Sequence, residues 1–172
     1  MSVSSFQVGT FTTGSGTADA TNLTGSGFMA LQGAAATQVS FVEEIYIGGQ
    51  ATSSAPAIML LGHDSTVVAG GAALVSPNSN GPLNPNTGAL SAPVVAFIHG
   101  TTTLPQRSNS VTVAKKNFTF NSFAGIVRVN YANTNDRFGI LGSGASLGEL
   151  SLSAFTGTTS SSIGAHILYE TT

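Results

Sequence analysis

The chain predicts an all-β sandwich or barrel, and three observations carry that prediction. Val, Ile, Phe and Thr gather in short runs separated by Gly, Pro, Asn and Ser, the punctuation of strands and turns. Several runs alternate apolar and polar residues with a period of two, as in Asn117–Tyr131, NFTFNSFAGIVRVNY. Apolar residues recurring at helical spacing are nearly absent. The 172 residues have one uniform composition, which fits a single domain, 1–172, long enough for a self-sufficient core.

The strands follow in order. Ser4–Thr12, Gly27–Leu31, Gln38–Ile47, Ala57–Leu61 and Pro93–His99 come first, then Ser110–Phe120, Ala124–Tyr131, Leu147–Phe155 and Ile163–Glu170, so eight or nine strands are expected. In QVSFVEEIYI, Val39, Phe41, Ile45 and Ile47 share one parity and define the expected core face. AIMLLG ends at His63-Asp64-Ser65, read as a strand end where Asp and Ser bond local backbone groups. LGELSLSAF alternates like a strand, and GAHILYETT carries the last one. In Asn117–Tyr131 the alternation changes phase: Phe118 and Phe120 hold one parity, Val127, Val129 and Tyr131 the other. A one-residue slip flips every side chain, so a turn or bulge must intervene near Asn121-Ser122 or Gly125. That is either a tight hairpin or a long strand bending across a sandwich corner.

Two segments break the rhythm. Residues 1–36 are rich in Gly, Ser, Thr and Ala, an expected arm or edge strands able to pair with a neighbouring chain. Ser76–Pro93 holds four of the six prolines and Asn80-Gly81, an expected long loop that either contacts another subunit or is a bare surface excursion.

Charged residues make up only 7% of the chain, against about 25% in an average globular protein. Twenty-two Ser, 21 Thr and 21 Gly supply the polarity instead. Five Lys and Arg cannot build the basic stripe that phosphate backbones require, so direct nucleic-acid binding is not expected. A surface this poor in charge suggests burial in an assembly. The absence of cysteine excludes disulfides, thiolate zinc sites and cysteine nucleophiles. MSVSSFQVGT has neither a basic nor an apolar signal region, and no apolar run reaches the ~20 residues of a membrane helix, so no membrane partner is expected.

No catalytic constellation is legible, and no cofactor is expected. FGILGSGASLG imitates a dinucleotide-binding fingerprint, but a strand rather than a helix follows it, so it reads as a turn. His63, Asp64 and Ser65 point alternately to opposite faces and cannot form a relay. His63, His99 and His166 lie on separate strands or strand ends, which favours isolated histidines over a metal site. The seven carboxylates show no glycosidase-like pair, and the chain has no Trp and only Tyr46, Tyr131 and Tyr169 for stacking on a sugar. Glu43 shares the parity of an apolar face and needs a partner there. Arg128 lies between Val127 and Val129, and its planar fork suits a carboxylate. Arg128 is therefore expected to pair with Glu43 or Glu44, within the subunit or across an interface.

SFVEEIYIGGQATSSAPAIMLLGHDSTV and FNSFAGIVRVNY, with the Gly/Ser/Thr-rich N-terminal segment and the Pro/Asn loop, resemble the small β-rich structural proteins of tailed-phage virions. Capsid decoration or cement proteins and jelly-roll capsid modules are the nearest type. That resemblance implies a jelly-roll-like antiparallel β-sandwich of about eight strands and no enzymatic activity. It also implies a homo-oligomer, a trimer as the first guess, in contact with a major capsid protein or other virion proteins. The expected place is the virion capsid, assembled in the host cytoplasm. The alternative is a glycan-binding module of a phage fibre or adhesin, which would present exposed tyrosines in a cleft.

Overall fold

The computed structural model describes residues 4–9, 26–34, 37–49, 51–64, 72–74, 80–84, 94–98, 104–105, 115–142, 149–156 and 163–171. Along the chain these form β1 (Ser4–Gly9), β2 (Ser26–Gly33), β3 (Ser40–Gly49), β4 (Pro56–Asp64), β5 (Ala72–Leu74), β6 (Asn80–Pro82) and β7 (Val94–Ile98). Then come β8 (Leu104–Pro105), β9 (Lys115–Asn121), β10 (Ile126–Asn130), β11 (Gly139–Ile140), β12 (Glu149–Thr156) and β13 (Ile163–Thr171). Helical structure among the described residues is limited to a 3-10 turn over Thr134–Asp136.

The strands build two antiparallel sheets. One runs β10-β3-β13-β1-β6, with β11 also on β3; the other runs β5-β7-β2-β12-β4-β9, with β8 on β2. Setting aside the short strands and β7, the orders become β10-β3-β13-β1 and β2-β12-β4-β9. The partners nest: β1 with β13, β2 with β12, and β3 with both β13 and β10. This is the eight-stranded jelly roll, which stacks two four-stranded sheets over a shared core. The excursion between β4 and β9 adds β6 beyond β1, and β7 and β5 beyond β2.

All nine strands expected from the sequence are present, with shifted ends. Residues 10–12 of the expected first strand, 93 and 99 of the fifth, 110–114 of the sixth and 147–148 of the eighth lie outside the described residues. The short strands β5, β6, β8 and β11 are additions to the expected set. In particular, Asn80–Pro82 inside the expected Pro/Asn loop is a strand, pairing with β1 at Phe6, Gln7 and Val8. Three residues ending in proline give no alternation to read, and proline is tolerated on an edge strand. Within residues 1–36, β1 and β2 are integral to the two sheets, flanked by β13 and β6 and by β12 and β7. The remainder of that segment lies outside the described residues, apart from Ala34.

Sequence pattern and burial agree strand by strand. In β10, IVRVN, Val127 and Val129 pack against the core while Ile126, Arg128 and Asn130 face solvent. In β2, Phe28, Met29, Ala30 and Leu31 are all buried, as are Met59, Leu60 and Leu61 in β4, so both strands are enclosed on both faces. Continuous apolar runs are what doubly covered strands require. The core between the sheets holds Phe6, Phe28, Leu31, Val42, Ile45, Ile47, Met59, Phe118, Ile167 and Tyr169, each large side chain contributing about 1.5–3 kcal/mol by leaving water. Phe6 and Tyr169 stack with ring centroids 5.5 Å apart.

Two irregularities shape the β3–β10 edge of the sandwich. In β3 the buried positions are Ser40 and Val42, then Ile45 and Ile47. The pairing with β13 slips between Leu168 and Tyr169, which face Glu44 and Val42, leaving Glu43 as the extra residue of a β-bulge. The expected single-parity face through Phe41 and Glu43 is therefore incorrect: the bulge resets the parity, and Val42 points into the core. The second irregularity is the turn after β9. β9 pairs with β4 and β10 with β3, so the chain crosses from one sheet to the other at residues 122–125. Asn121 Oδ1 accepts from the Phe123 and Ala55 amides, and Ala124 adopts a left-handed φ of 56°. Of the two readings of the phase change, the sandwich corner is the one adopted.

Candidate functional site

The edge where β9 and β10 close the sandwich gathers most of the accessible chemistry. β10 brings Arg128 to the solvent face, in register with Tyr46 and two residues along β3 from Glu44. Arg128 Nε donates to Glu44 Oε1 at 3.0 Å and Nη2 to Oε2 at 2.9 Å, a two-pronged pair within one chain. Asn130 Nδ2 approaches Glu44 Oε2 at 3.4 Å. The Arg128 hydrogen bonds hold the Glu44 carboxyl below its usual range, and Glu44 raises Arg128 in return. With the Arg128 side chain 64% exposed, solvent screens most of this attraction, so it orients the pair more than it stabilises the fold.

Glu43 has a different partner. The bulge turns it toward the segment between β10 and β11, where Arg137 Nη1 lies 3.5 Å from Glu43 Oε1 and 3.1 Å from Glu170 Oε2 on β13. The Glu43 and Glu170 carboxyl groups also meet, and the protonated form of Glu43 is the one able to donate to the Glu170 carboxylate. That bond, followed by burial, raises Glu43; Arg137 opposes the shift. Glu170 is lowered, first by the same bond and then by Arg137. The sequence placed Arg128 against Glu43 or Glu44, and the geometry selects Glu44. Arg137 carries no signal of its own in the sequence, because its two acids become neighbours only through the bulge and the β3–β13 pairing.

These shifts have a sign that can be measured. Glu43, raised, favours the folded state at low pH and loses that contribution as pH climbs from about 4.5 through its folded value. Glu170, lowered, contributes above 4.5 and loses its contribution as pH falls through its folded value. Glu43→Gln keeps an uncharged donor against Glu170 at every pH. Thermal melts from pH 4 to 8 should show the variant gaining on the native chain as pH rises; a gap that moves the other way refutes the shared proton.

Beside this cluster lies a cleft of about 540 Å³ lined by Lys116, Asn130, Tyr131, Asn133, Asp136 and Phe138. β9 supplies Lys116, whose Nζ sits 4.7 Å from the centre of the Tyr131 ring, a cation–π contact. Phe138 meets the same ring edge-on at 6.0 Å. Backbone bonds tie the wall to β3, with the Tyr131 amide donating to the Glu43 carbonyl and the Val42 amide to the Phe138 carbonyl. Asn133 caps the 3-10 turn by accepting from the Asn135 amide. Lys116 and Asp136, of opposite charge in one cleft, form no ion pair among the described residues.

Tyr131 is 7% exposed. Burial pushes its phenol up to about 12, and its hydroxyl finds no hydrogen-bond partner among the described residues. Burying an unpaired hydroxyl is costly, so Tyr131→Phe should raise stability by about 1 kcal/mol. Denaturant unfolding measures this, and a loss of 1 kcal/mol or more would show that the hydroxyl is bonded.

Other expected features are placed as follows. Of the tyrosines proposed for a sugar cleft, Tyr169 is fully buried and Tyr131 nearly so, while Tyr46 is exposed on the solvent face beside Arg128 rather than in the cleft. His63 lies on β4 and His166 on β13, in different sheets; His99 is outside the described residues. His63 Nδ1 faces the Glu149 carbonyl, and burial lowers His166, whose Nε2 meets Gln7 Oε1. Among the described residues no group of three or more His, Asp or Glu is placed to hold a metal. Glu149, one of the seven carboxylates weighed for a glycosidase pair, is fully buried, and its Oε2 accepts from Gln32 Nε2 at 3.0 Å. No helix is long and apolar enough to cross a membrane among the described residues. Comparison of the chain with protein-family models and with curated proteins finds no match.

Proposed function

We propose that this chain is a non-enzymatic structural subunit of a virion shell, an oligomeric capsid component or capsid decoration protein that works through subunit contacts. The observation that carries the reading is the nested strand order of the jelly roll, an architecture used repeatedly by capsid and lectin domains. Fold alone does not decide between those uses. The lectin branch is disfavoured by the burial of Tyr131 and Tyr169, which leaves the cleft without an open aromatic platform. The assembly branch is supported by the low charge and by large apolar side chains left in solvent, chiefly Phe123 and Ile126 at 53% and 64% exposure.

The mechanism is mass action: each contact made only by the folded subunit favours the assembled state over the free one. Its partners would be further copies of itself and the other proteins of the shell. Native mass spectrometry and light scattering on the purified chain should find a discrete homo-oligomer, with a trimer expected first. A monomer at every accessible concentration overturns the proposal.

A further inference from the structure

We infer that the turn between β10 and β11, residues 132–137, is a pH-governed flap on the cleft: Arg137 latches it to Glu43 and Glu170, and acid releases the latch. The turn is otherwise lightly held. Backbone bonds pin its two ends to the β3 bulge, the Tyr131 amide donating to the Glu43 carbonyl and the Val42 amide to the Phe138 carbonyl. Between those pins Ala132, Asn133, Asn135 and Asp136 are exposed, and Arg137 alone among the described side chains turns inward. The Asp136 amide donates to the Asn133 carbonyl and the Asn135 amide to Asn133 Oδ1. Those bonds stay within the turn, so they shape it without fastening it to a sheet.

The latch is one nitrogen shared by acids from two strands. Arg137 Nη1 donates to Glu170 Oε2 on β13 at 3.1 Å and lies 3.5 Å from Glu43 Oε1 on β3. Its Nε is buried and has no hydrogen-bond partner among the described residues. The Arg137, Glu43 and Glu170 side chains are 16%, 32% and 21% exposed, so solvent screens them less than it screens Arg128. Asn133 and Asp136 line the cleft from the turn and Lys116 lines it from β9. Release of the turn therefore moves one side of the cleft relative to the other.

The direction follows from charge. The guanidinium stays protonated, so the acids are the members of the latch that titrate. Its charge lowers both carboxyls. Opening withdraws that charge, both carboxyls hold protons more tightly, and the open turn takes protons up. Acid therefore favours the open turn, across the carboxylate range around 4.5. Glu43 acts in the other direction on the whole fold, because unfolding also separates it from Glu170, whereas opening leaves the two acids together. Other charged or titratable groups border the turn. Lys116 and Asp136 share the cleft, the Tyr131 phenol is pushed up to about 12, and His63 on β4 sets its ring 5.8 Å from that of Phe138. Glu44, next to Glu43, is bonded to Arg128 on the solvent face. Asp136 and His63 are the members of this outer set that acid can charge or discharge, and the test separates them from the latch.

The cysteine-free chain takes a nitroxide label at Asn135→Cys, an exposed position on the turn. Electron paramagnetic resonance should show an immobilised label at neutral pH and a mobile-to-immobile ratio about tenfold higher near pH 4, with circular dichroism confirming a folded chain at both. Adding Arg137→Gln should leave the label mobile at both pH values, and so should Glu43→Gln combined with Glu170→Gln. Asp136→Asn and His63→Gln should each keep the native response. A label that ignores pH in the native background overturns the inference. So does a response that survives Arg137→Gln or disappears with Asp136→Asn or His63→Gln. None of these outcomes bears on the assembly reading, which stands or falls on the oligomeric state.

Discussion

A chain that begins at residue 37 is expected not to fold. Its deletion removes β1 and β2, and each lies between two partners: β1 between β13 and β6, β2 between β12 and β7. Both four-stranded halves of the jelly roll thereby lose a member. Phe6, Phe28, Met29 and Leu31 leave the core with them, all buried to within a few per cent. At about 1.5–3 kcal/mol for each large apolar side chain, the loss is on the order of 6–12 kcal/mol, comparable to the entire stability of a typical domain. Circular dichroism and amide exchange on the truncated chain should show no cooperative melt and no slowly exchanging core. If residues 1–36 served only as an arm for a neighbouring subunit, the truncated chain would keep a native melt and lose only its oligomer. A native melt would therefore contradict the strand pairing of β1 and β2.

Gly49→Ala should cost about 3 kcal/mol or more, at the upper end of what overpacking usually exacts. Gly49 ends β3 directly beneath the sandwich corner. A β-carbon built there would sit 2.1 Å from the Ser122 carbonyl oxygen and 2.4 Å from its α-carbon. Both are backbone atoms and cannot swing aside. They are also pinned from the other side: the Ser122 carbonyl accepts from the Ala51 amide, and its own amide donates to the Ala55 carbonyl. The Ser122 hydroxyl donates to the same Ala55 oxygen at 3.0 Å. Relief would require breaking the set of bonds that fastens the β3–β4 connection to the β9–β10 corner. Denaturant unfolding of the variant measures the loss, and a change under about 1 kcal/mol would mean that the corner can move away from Gly49.

The physical reasons for what the sequence does and does not disclose are visible in individual strands. β13 and β10 follow their alternation because each has one covered face, so a period-two pattern maps directly onto burial. β2 and β4 are legible as strands from short apolar runs, although nothing in those runs tells which strand lies beside them. The nested order itself depends on partners far apart in the chain. At Glu43 local reading fails for a definite reason: a bulge adds a residue to β3 with no mark in composition. Val42 and Glu43 consequently exchange the faces that parity assigns them. The Arg128–Glu44 pair is within reach because a planar fork suits one of the two adjacent acids of β3, although an arginine 64% exposed does not need that partner. Arg137 is not, since its acids come from β3 and β13. The cleft around Lys116 and Asp136 is equally hidden, being assembled around two strands that belong to different sheets.

The nesting that joins β1 to β13 also governs how the protein acquires its shape. In the register of that pair Ser4 faces Thr171, so the middle of one sheet unites the earliest described strand with the latest. Contacts between distant parts of a chain form slowly, because the intervening loop must be closed before any pairing rewards it. During synthesis β1 emerges long before the strand that flanks it on one side exists, and Phe6 has no Tyr169 to stack upon. Only when the last strand leaves the ribosome can the two sheets close over their core. Until then, apolar strands wait with open edges, a state vulnerable to association with the wrong chain. Delivery of β13, rather than any step local to β1, gates the closing of that sheet.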